Sequence, residues 1–419
     1  MVPVNQQEQS MSKLSFCAAA VATSATMFHL CAATPEAAIN AAPVPGADVY
    51  AYSNDAKIQA SAIAKQVEAL TKKFKELAKA DDDASKQIQA LQDLCEKEGL
   101  SGENLTASVF SVAAGKTISA IVKALKEDET PELKVDDFGL IVAVAVKKPI
   151  TKANLKNVFD GILKLAPETS DKDEFLKHFA AADFTHGGVN GIAISLKLDE
   201  DDLEDMPFDK LPVFAVAFPA DGKVVYLGME KDVKAAIDRA NAGTKAEPAA
   251  ALKKILDANL GGKPLEKRDA FFAFVVPKVF RDAMAELEEQ MDGADFMPPG
   301  VLPGIKAAKE LQGFRSFGDY GDKLDGTINF VLESAETAAM LKDVIQINVL
   351  NMGKMFAFQF IGKSIPFTDN LVAAADGAST SVNFTVTADD VNTVFDLIKK
   401  QMDNAAAAPR FMIEDDDDE

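Results

Sequence analysis

The residues of this chain whose types could carry chemistry are few: three histidines, three cysteines and several acidic runs. His178 and His186 stand eight residues apart with no further cysteine to join them, which is not the spacing of a zinc site. His178 follows Phe175-Leu176-Lys177 on a predicted helix, and His186 lies beside the Gly187-Gly188 turn, so both read as surface or packing residues. A serine nucleophile needs a base beside it, and the chain has no Gly-x-Ser-x-Gly elbow. Cys95 falls on a helical seam, where a buried, inert thiol is expected. Gly362-Lys363-Ser364 resembles the end of a phosphate-binding loop, but Ala357 stands where the first glycine belongs. The bulky Phe358 and Phe360 before it cannot bare the backbone amides that cradle phosphate, and we reject this reading.

Carboxylates are the one dense polar feature. Asp199-Glu200-Asp201-Asp202-Leu203-Glu204-Asp205 lies between two predicted strands, and Glu414 to Glu419 closes the chain. Glu204 sits where a calcium-binding hand needs glycine, and no glutamate follows at the closing distance. The two runs therefore read as a solvated loop and an acidic disordered tail, with diffuse cation binding as the weaker alternative. Any two of the 65 acids can meet in space as a hydrolytic pair. With no Trp and four Tyr, however, the stacking surface typical of glycoside hydrolases is hard to build. No catalytic, cofactor-binding or metal-ligating residue is assigned on this basis, and no cofactor is expected.

The elements that would position any site follow from periodicity. Asp48–Ser53 predicts a short strand. Ile63, Val67, Leu70, Phe74 and Leu77 then step by four and three, and the phase resumes at Ala84, Ile88, Leu91 and Cys95. The intervening Asp81-Asp82-Asp83 would be costly in a continuous seam. Two helices joined there are expected, lying on a sheet or on each other in preference to a coiled-coil oligomer. Further strands are predicted at 105–113, 138–146, 184–198, 212–218 and 224–228, then at 270–276, 313–318, 324–332, 371–375 and 381–386. Helices are predicted at 116–126, 152–165, 231–242, 277–291, 335–351 and 388–402. Thr151 and Thr387 suit amino-terminal caps, Pro277 a first helical turn, and Gly243 a helix stop. Gly187-Gly188, Asn190-Gly191, Ala220-Asp221-Gly222 and Ala375-Asp376-Gly377 predict hairpin turns.

The fold class expected is α+β: two related modules of antiparallel sheet covered by helices, preceded by a helical amino-terminal arm. The relation is suggested by echoes. Each half ends in an Ala-Asp-Gly turn, a strand, and a helix opening on Asp-Val (Asp232-Val233 and Asp390-Val391). Val158-Phe159-Asp160 also echoes Val394-Phe395-Asp396, although at a different place in the plan. The boundaries expected are a leader over 1–33, a flexible Ala/Pro-rich spacer over 34–47 and a helical arm with a short strand over 48–130. A first module then spans 131–260 and a second 265–405, parted at Gly261-Gly262-Lys263-Pro264, before the tail over 406–419.

Lys13, the apolar run from Leu14 to Ala33 and the small residues Ala32-Ala33 before Thr34-Pro35 have the order of a secretory leader. The polar stretch before Met11 is unlike a leader's first segment, which points to Met11 as the start. Bulky residues before Cys17 and Cys31 argue against lipidation. Cleavage near Ala33 leaves Cys95 alone, so no internal disulfide can form. A formal charge of -21 argues against nucleic acid and against an anionic bilayer surface. No later segment has a membrane-spanning length, so an integral membrane protein is not expected.

The nearly all-apolar stretch from Met340 to Phe360 reads as core. Its alternative is a groove for an apolar ligand or client peptide. Asn104-Leu105-Thr106 and Asn383-Phe384-Thr385 are glycosylation sequons only in a eukaryotic host. The function expected is that of an exported, periplasmic or extracellular, non-catalytic protein acting on a protein or cell-envelope partner. A carrier or chaperone for an apolar ligand is second, and an exported carboxylate-dependent hydrolase third.

Overall fold

Period-two alternation becomes sheet. In the strand Gly139–Val146, Ile141 and Ala143 are fully buried while Leu140, Val142 and Val144 face a half-covered side. The computed structural model describes residues 35–77, 83–127, 129–165, 179–197, 208–257, 268–291, 301–352, 354–355, 368 and 370–407. Its strands are β1 (Val49–Ser53), β2 (Leu105–Ala113), β3 (Gly139–Val146), β4 (Phe179–His186), β5 (Val189–Leu196), β6 (Val213–Ala217), β7 (Val224–Met229), β8 (Ala270–Val275), β9 (Gly313–Tyr320), β10 (Lys323–Val331), β11 (Val372–Asp376) and β12 (Ser379–Thr387). The helices are α1 (Pro35–Ala41), α2 (Asp55–Ala60), α3 (Ala62–Leu77), α4 (Asp83–Lys97), α5 (Gly115–Glu127), α6 (Lys152–Leu165), α7 (Glu230–Ala242), α8 (Ala250–Asp257), α9 (Lys278–Met291), α10 (Val301–Glu310), α11 (Ala335–Val344) and α12 (Ala388–Ala407). The class is α+β. The antiparallel sheet runs β11-β12-β10-β9-β8-β1-β2-β3-β7-β6-β5-β4. Among the described residues no helix is long and apolar enough to cross a membrane.

The chain divides into two compact units. Unit 1 comprises Met1–Ala56, Asp81–Asp257 and Phe272–Val279; unit 2 comprises Lys57–Ala80, Ala258–Phe271 and Phe280–Glu419. Residues 48–130, read from sequence as one arm, are therefore shared between the units. The two seam helices fall in different units. α3 packs on α12 in unit 2, and α4 packs on α6 in unit 1. The second contact is close because Leu94 sits on Gly161, where a Cβ would come within 2.2 Å of its side chain. Each apolar stripe buries against whichever helix offers a matching face, and this partner is not encoded in the stripe itself.

In unit 1, α7 covers β3, β6 and β7, burying Val233, Ala236, Ile237 and Ala240. Asp232, in its first turn, is buried and accepts the Leu140 backbone N–H at 2.9 Å. Gly243 ends the helix in the left-handed region at φ 66°, as expected of a glycine stop.

The Ala/Pro-rich segment 35–47 is not a flexible spacer. It opens as α1, which packs on α7, and Ala38, Ala41, Ala42, Val44 and Ala47 are buried. The Tyr226 hydroxyl donates to the Ala38 carbonyl at 2.5 Å, and Arg239 donates to the carbonyls of Ala41 and Pro43 at 2.9 Å each. Val44 N–H donates to Ser111 Oγ at 2.9 Å. Small side chains let this backbone come close enough for its carbonyls to be paired, so composition that suggests a linker serves here as packing.

The predicted strand 184–198 is two strands, β4 and β5, turning at Gly187-Gly188, both with positive φ. Asn190-Gly191 is not a turn; it lies within β5, where Gly191 permits a close approach to the Val216 carbonyl. The 220–222 turn forms as expected between β6 and β7, with positive φ at Ala220, Asp221 and Gly222. Besides α1 and the short α2, the helices α8 and α10 fall outside the predicted elements.

In unit 2, β9, β10, β12 and β11 pair in that order. One face carries Val382 and Phe330 beneath α10, α11 and the π-helical continuation Ile345–Asn351. Thr380, fully buried on this face, donates its hydroxyl to the Ala338 carbonyl at 2.6 Å. The junction of β12 with α12 is capped reciprocally, Asp390 accepting from Thr387 N–H at 2.8 Å and from its hydroxyl at 2.7 Å, while Asp390 N–H returns to Thr387 Oγ1 at 3.2 Å.

Candidate functional site

The opposite face of the unit 2 sheet is polar. In β10 and β12 the odd-numbered residues share it, because side chains alternate between faces with a period of two. Pairing sets three rows: Asp319, Asp325 and Thr385; Phe317, Thr327 and Asn383; Arg315, Asn329 and Ser381. Of these residues Phe317, Asp325, Thr327, Asn329, Ser381, Asn383 and Thr385 line a cavity of about 490 Å³, together with Arg268, Val372, Asp376 and Ser379 among others. That volume lies within the ~300–1,000 Å³ of small-ligand sites.

The hydrogen bonds of the floor are directional. Thr385 donates its hydroxyl to Asp325 Oδ1 at 2.7 Å, Thr327 donates to Asn383 Oδ1 at 2.8 Å, and Ser381 donates to the Ala374 carbonyl at 3.5 Å. Each hydroxyl proton is thus committed within the protein, and the oxygen lone pairs remain as acceptors. Asn329 is buried, at 6% exposure, and its Oδ1 has no hydrogen-bond partner. An unsatisfied buried acceptor costs about 1–3 kcal/mol, so its retention needs a reason.

Arg268 donates to Asp319 Oδ2 at 2.6 Å and lies 4.1 Å above the Phe317 ring, an ion pair and a cation–π contact together. The Thr385 hydrogen bond, assisted by Lys323, holds the Asp325 carboxyl below its usual range. Arg315 is fully buried, and burial, with the charge of Arg268 beside it, pushes its guanidinium down to about 10. The edge strand is held from the π-helical stretch, where Gln346 accepts the Ala373 N–H at 3.2 Å. π-helical turns are rare and recur at functional sites.

The residues singled out from sequence lie elsewhere. His186 ends β4 and pairs with Asp238 at 2.8 Å near the surface, and Cys95 is a half-buried free thiol on α4. His178, residues 199–205, Gly261–Pro264, Gly362-Lys363-Ser364, the leader and residues 408–419 of the tail lie outside the described residues, whereas residues 406 and 407, expected in the tail, end α12. Among the described residues no group of three or more His, Cys, Asp or Glu could hold a metal ion. Asn104 is buried and structural, donating to the carbonyls of Gly99 and Lys148 at 2.7 and 3.0 Å. Of the 340–360 stretch, Ile345 and Leu350 join the core while Ile347, Val349, Met352 and Met355 are exposed.

Sequence reasoning placed strands over β10 and β12 but passed over their polar alternation, Asp325-x-Thr327-x-Asn329 and Ser379-x-Ser381-x-Asn383-x-Thr385. A half-buried strand with an amide and hydroxyl face was the available signal; the register that joins the two was not. No family model matches the chain, and neither a curated protein nor a solved structure does.

Proposed function

We propose that the protein is exported by its leader and acts without catalysis, as a binding protein whose contact site is the polar sheet face of unit 2. The observation that carries this reading is the buried, unsatisfied Asn329 carbonyl in a cavity floor of hydroxyls and amides. Such a floor supplies hydrogen bonds, and the one hydroxyl that it sets on a carboxylate, Thr385 on Asp325, serves to lower the Asp325 pKa. Asp325, held ionised by Thr385, is not a proton donor for hydrolysis, which ranks the carboxylate hydrolase behind binding. Ligands that stabilise the folded chain raise its melting temperature, so a thermal-shift screen with Asn329→Leu as the comparison tests the reading. Turnover by the purified protein on a broad hydrolase panel, abolished by one point substitution, refutes it. Cell fractionation with amino-terminal sequencing tests export and cleavage near Ala33.

A carrier of apolar ligands is the second reading, favoured by the exposure of Ile347, Val349, Met352 and Met355. It predicts co-purifying lipid or peptide in native mass spectrometry.

We also propose that the two halves descend from one duplicated unit. Strand orders β1-β2-β3-β7 and β8-β9-β10-β12 correspond, with three helices after the first strand in the first half, two in the second, and one helix after the third strand in both. In this match α4 on α6 corresponds to α10 on α11. The Asp-Val echo falls on equivalent closing helices, with Asp232 and Asp390 both buried in the first turn. The outermost strands β4 and β11 even share Ala-Ala-Ala-Asp, at Ala180–Asp183 and Ala373–Asp376. The helices α2 and α5 and two additional strands in the first half are then insertions.

A further inference from the structure

We infer that the cavity on the β10–β12 face takes a small neutral polyhydroxylated molecule, a saccharide or polyol; this rests on the binding reading above and names its ligand class. The floor is rich in acceptors. Thr327, Ser381 and Thr385 have each spent their proton inside the protein, and Asn329 Oδ1 is buried without a donor. Such a surface needs a ligand that brings O–H or N–H groups.

Charge narrows the class. One guanidinium, Arg268, lines the cavity against two carboxylates, Asp325 and Asp376, and Arg268 is itself paired with Asp319. A carboxylate brings no donor and a hydrogen phosphate only one or two, and either meets acidic groups, within a chain whose formal charge is already -21. An ammonium brings donors but must be desolvated beside Arg268. An apolar molecule would bury this row of polar groups unpaired. A neutral polyol both donates to the acceptors and accepts from the Asn383 amide. Phe317 already carries Arg268 on its ring, so recognition rests on hydrogen bonds rather than on ring stacking.

Titration calorimetry of the full chain tests this. The probes are a panel of neutral mono- and disaccharides with myo-inositol, set against glucuronate, inorganic phosphate, spermidine and palmitate. The expected result is binding within the neutral panel alone, weakened about tenfold or more by Asn329→Leu, because a designed hydrogen bond is lost. Asn383→Ala, at an exposed position, should weaken it similarly and serves if Asn329→Leu does not fold. Binding only of a charged or apolar probe, weakened by the same substitutions, overturns the saccharide and leaves the binding reading standing. Saccharide binding indifferent to both substitutions overturns the site. No binding by any probe, with both variants folded, overturns the inference and the binding reading together.

Discussion

Replacing Arg239 by Met should loosen residues 35–47 from unit 1 without unfolding the chain. The guanidinium donates to the carbonyls of Ala41 and Pro43 at 2.9 Å each. Hydrogen bonds from a charged group are worth ~1.5–3 kcal/mol apiece. Burial, the first cause of the lowered Arg239 pKa, offsets part of that gain. The loss is then about 2–4 kcal/mol of local stability. Ile39 and Val44 remain buried, at about 1.5–3 kcal/mol each, so the segment stays docked but opens more often. Hydrogen exchange should report this at the amides of Ala42, Val44 and Ala47, bonded to the Ile39 carbonyl, Ser111 Oγ and the Val44 carbonyl. At 1.4 kcal/mol per tenfold, their exchange should quicken by roughly 30- to 700-fold. Tyr226→Phe, which removes one neutral donor to Ala38, should cost only about 1 kcal/mol. Unchanged protection of these amides, or an equal loss across both units, would refute the assignment of this segment as a docked strap.

Asp232 is buried, and burial, ahead of the opposing Leu140 hydrogen bond, raises its pKa. Its contribution to stability is therefore present below the usual carboxylate range and is lost as pH rises through the raised value. Asp232→Asn, whose amide oxygen can still accept from Leu140 N–H, should raise Tm at pH 7 and leave it unchanged near pH 4; a lower Tm at pH 7 contradicts this. Asp325 behaves oppositely, since the Thr385 hydroxyl lowers its pKa and the associated stability is lost as pH falls. Thr385→Val should move Asp325 up toward the ordinary carboxylate range in an NMR carboxyl titration, and no movement would disprove the role given to that hydroxyl. Gly228 lies so close to β3 that a Cβ would meet the Leu140 carbonyl at 2.1 Å. Backbone cannot yield as a side chain can, so Gly228→Ala should cost at least about 2 kcal/mol in urea unfolding, as overpacking does; a neutral result would contradict that close approach.

Much of the local structure was legible. Gly243 stops α7, Thr387 caps α12 and the 220–222 turn joins β6 to β7, because a left-handed glycine, a short hydroxyl side chain and a tight turn act through near neighbours. The strap was misjudged for the converse reason. Ala, Pro and Gly between residues 34 and 47 have no periodicity to mark them, and what holds them is Tyr226 and Arg239, nearly two hundred residues away. The candidate site fell between these cases. Its residues alternate visibly along two strands, but nothing in either strand states that Asn329 faces Ser381 on one side and Arg315 on the other.

By itself, then, the sequence determined the α+β class, most of the strands and helices, and the caps and turns between them. Propensity, periodicity and capping are properties of short segments and survive being read one residue after another. Only the tertiary structure decided which helix each stripe covers, that β10 lies between β9 and β12, and that a buried amide oxygen is left without a donor in the floor of a cavity. Pairing partners are chosen by mutual burial and register between distant segments, and whether a polar atom is satisfied depends on every neighbour that the fold assembles around it.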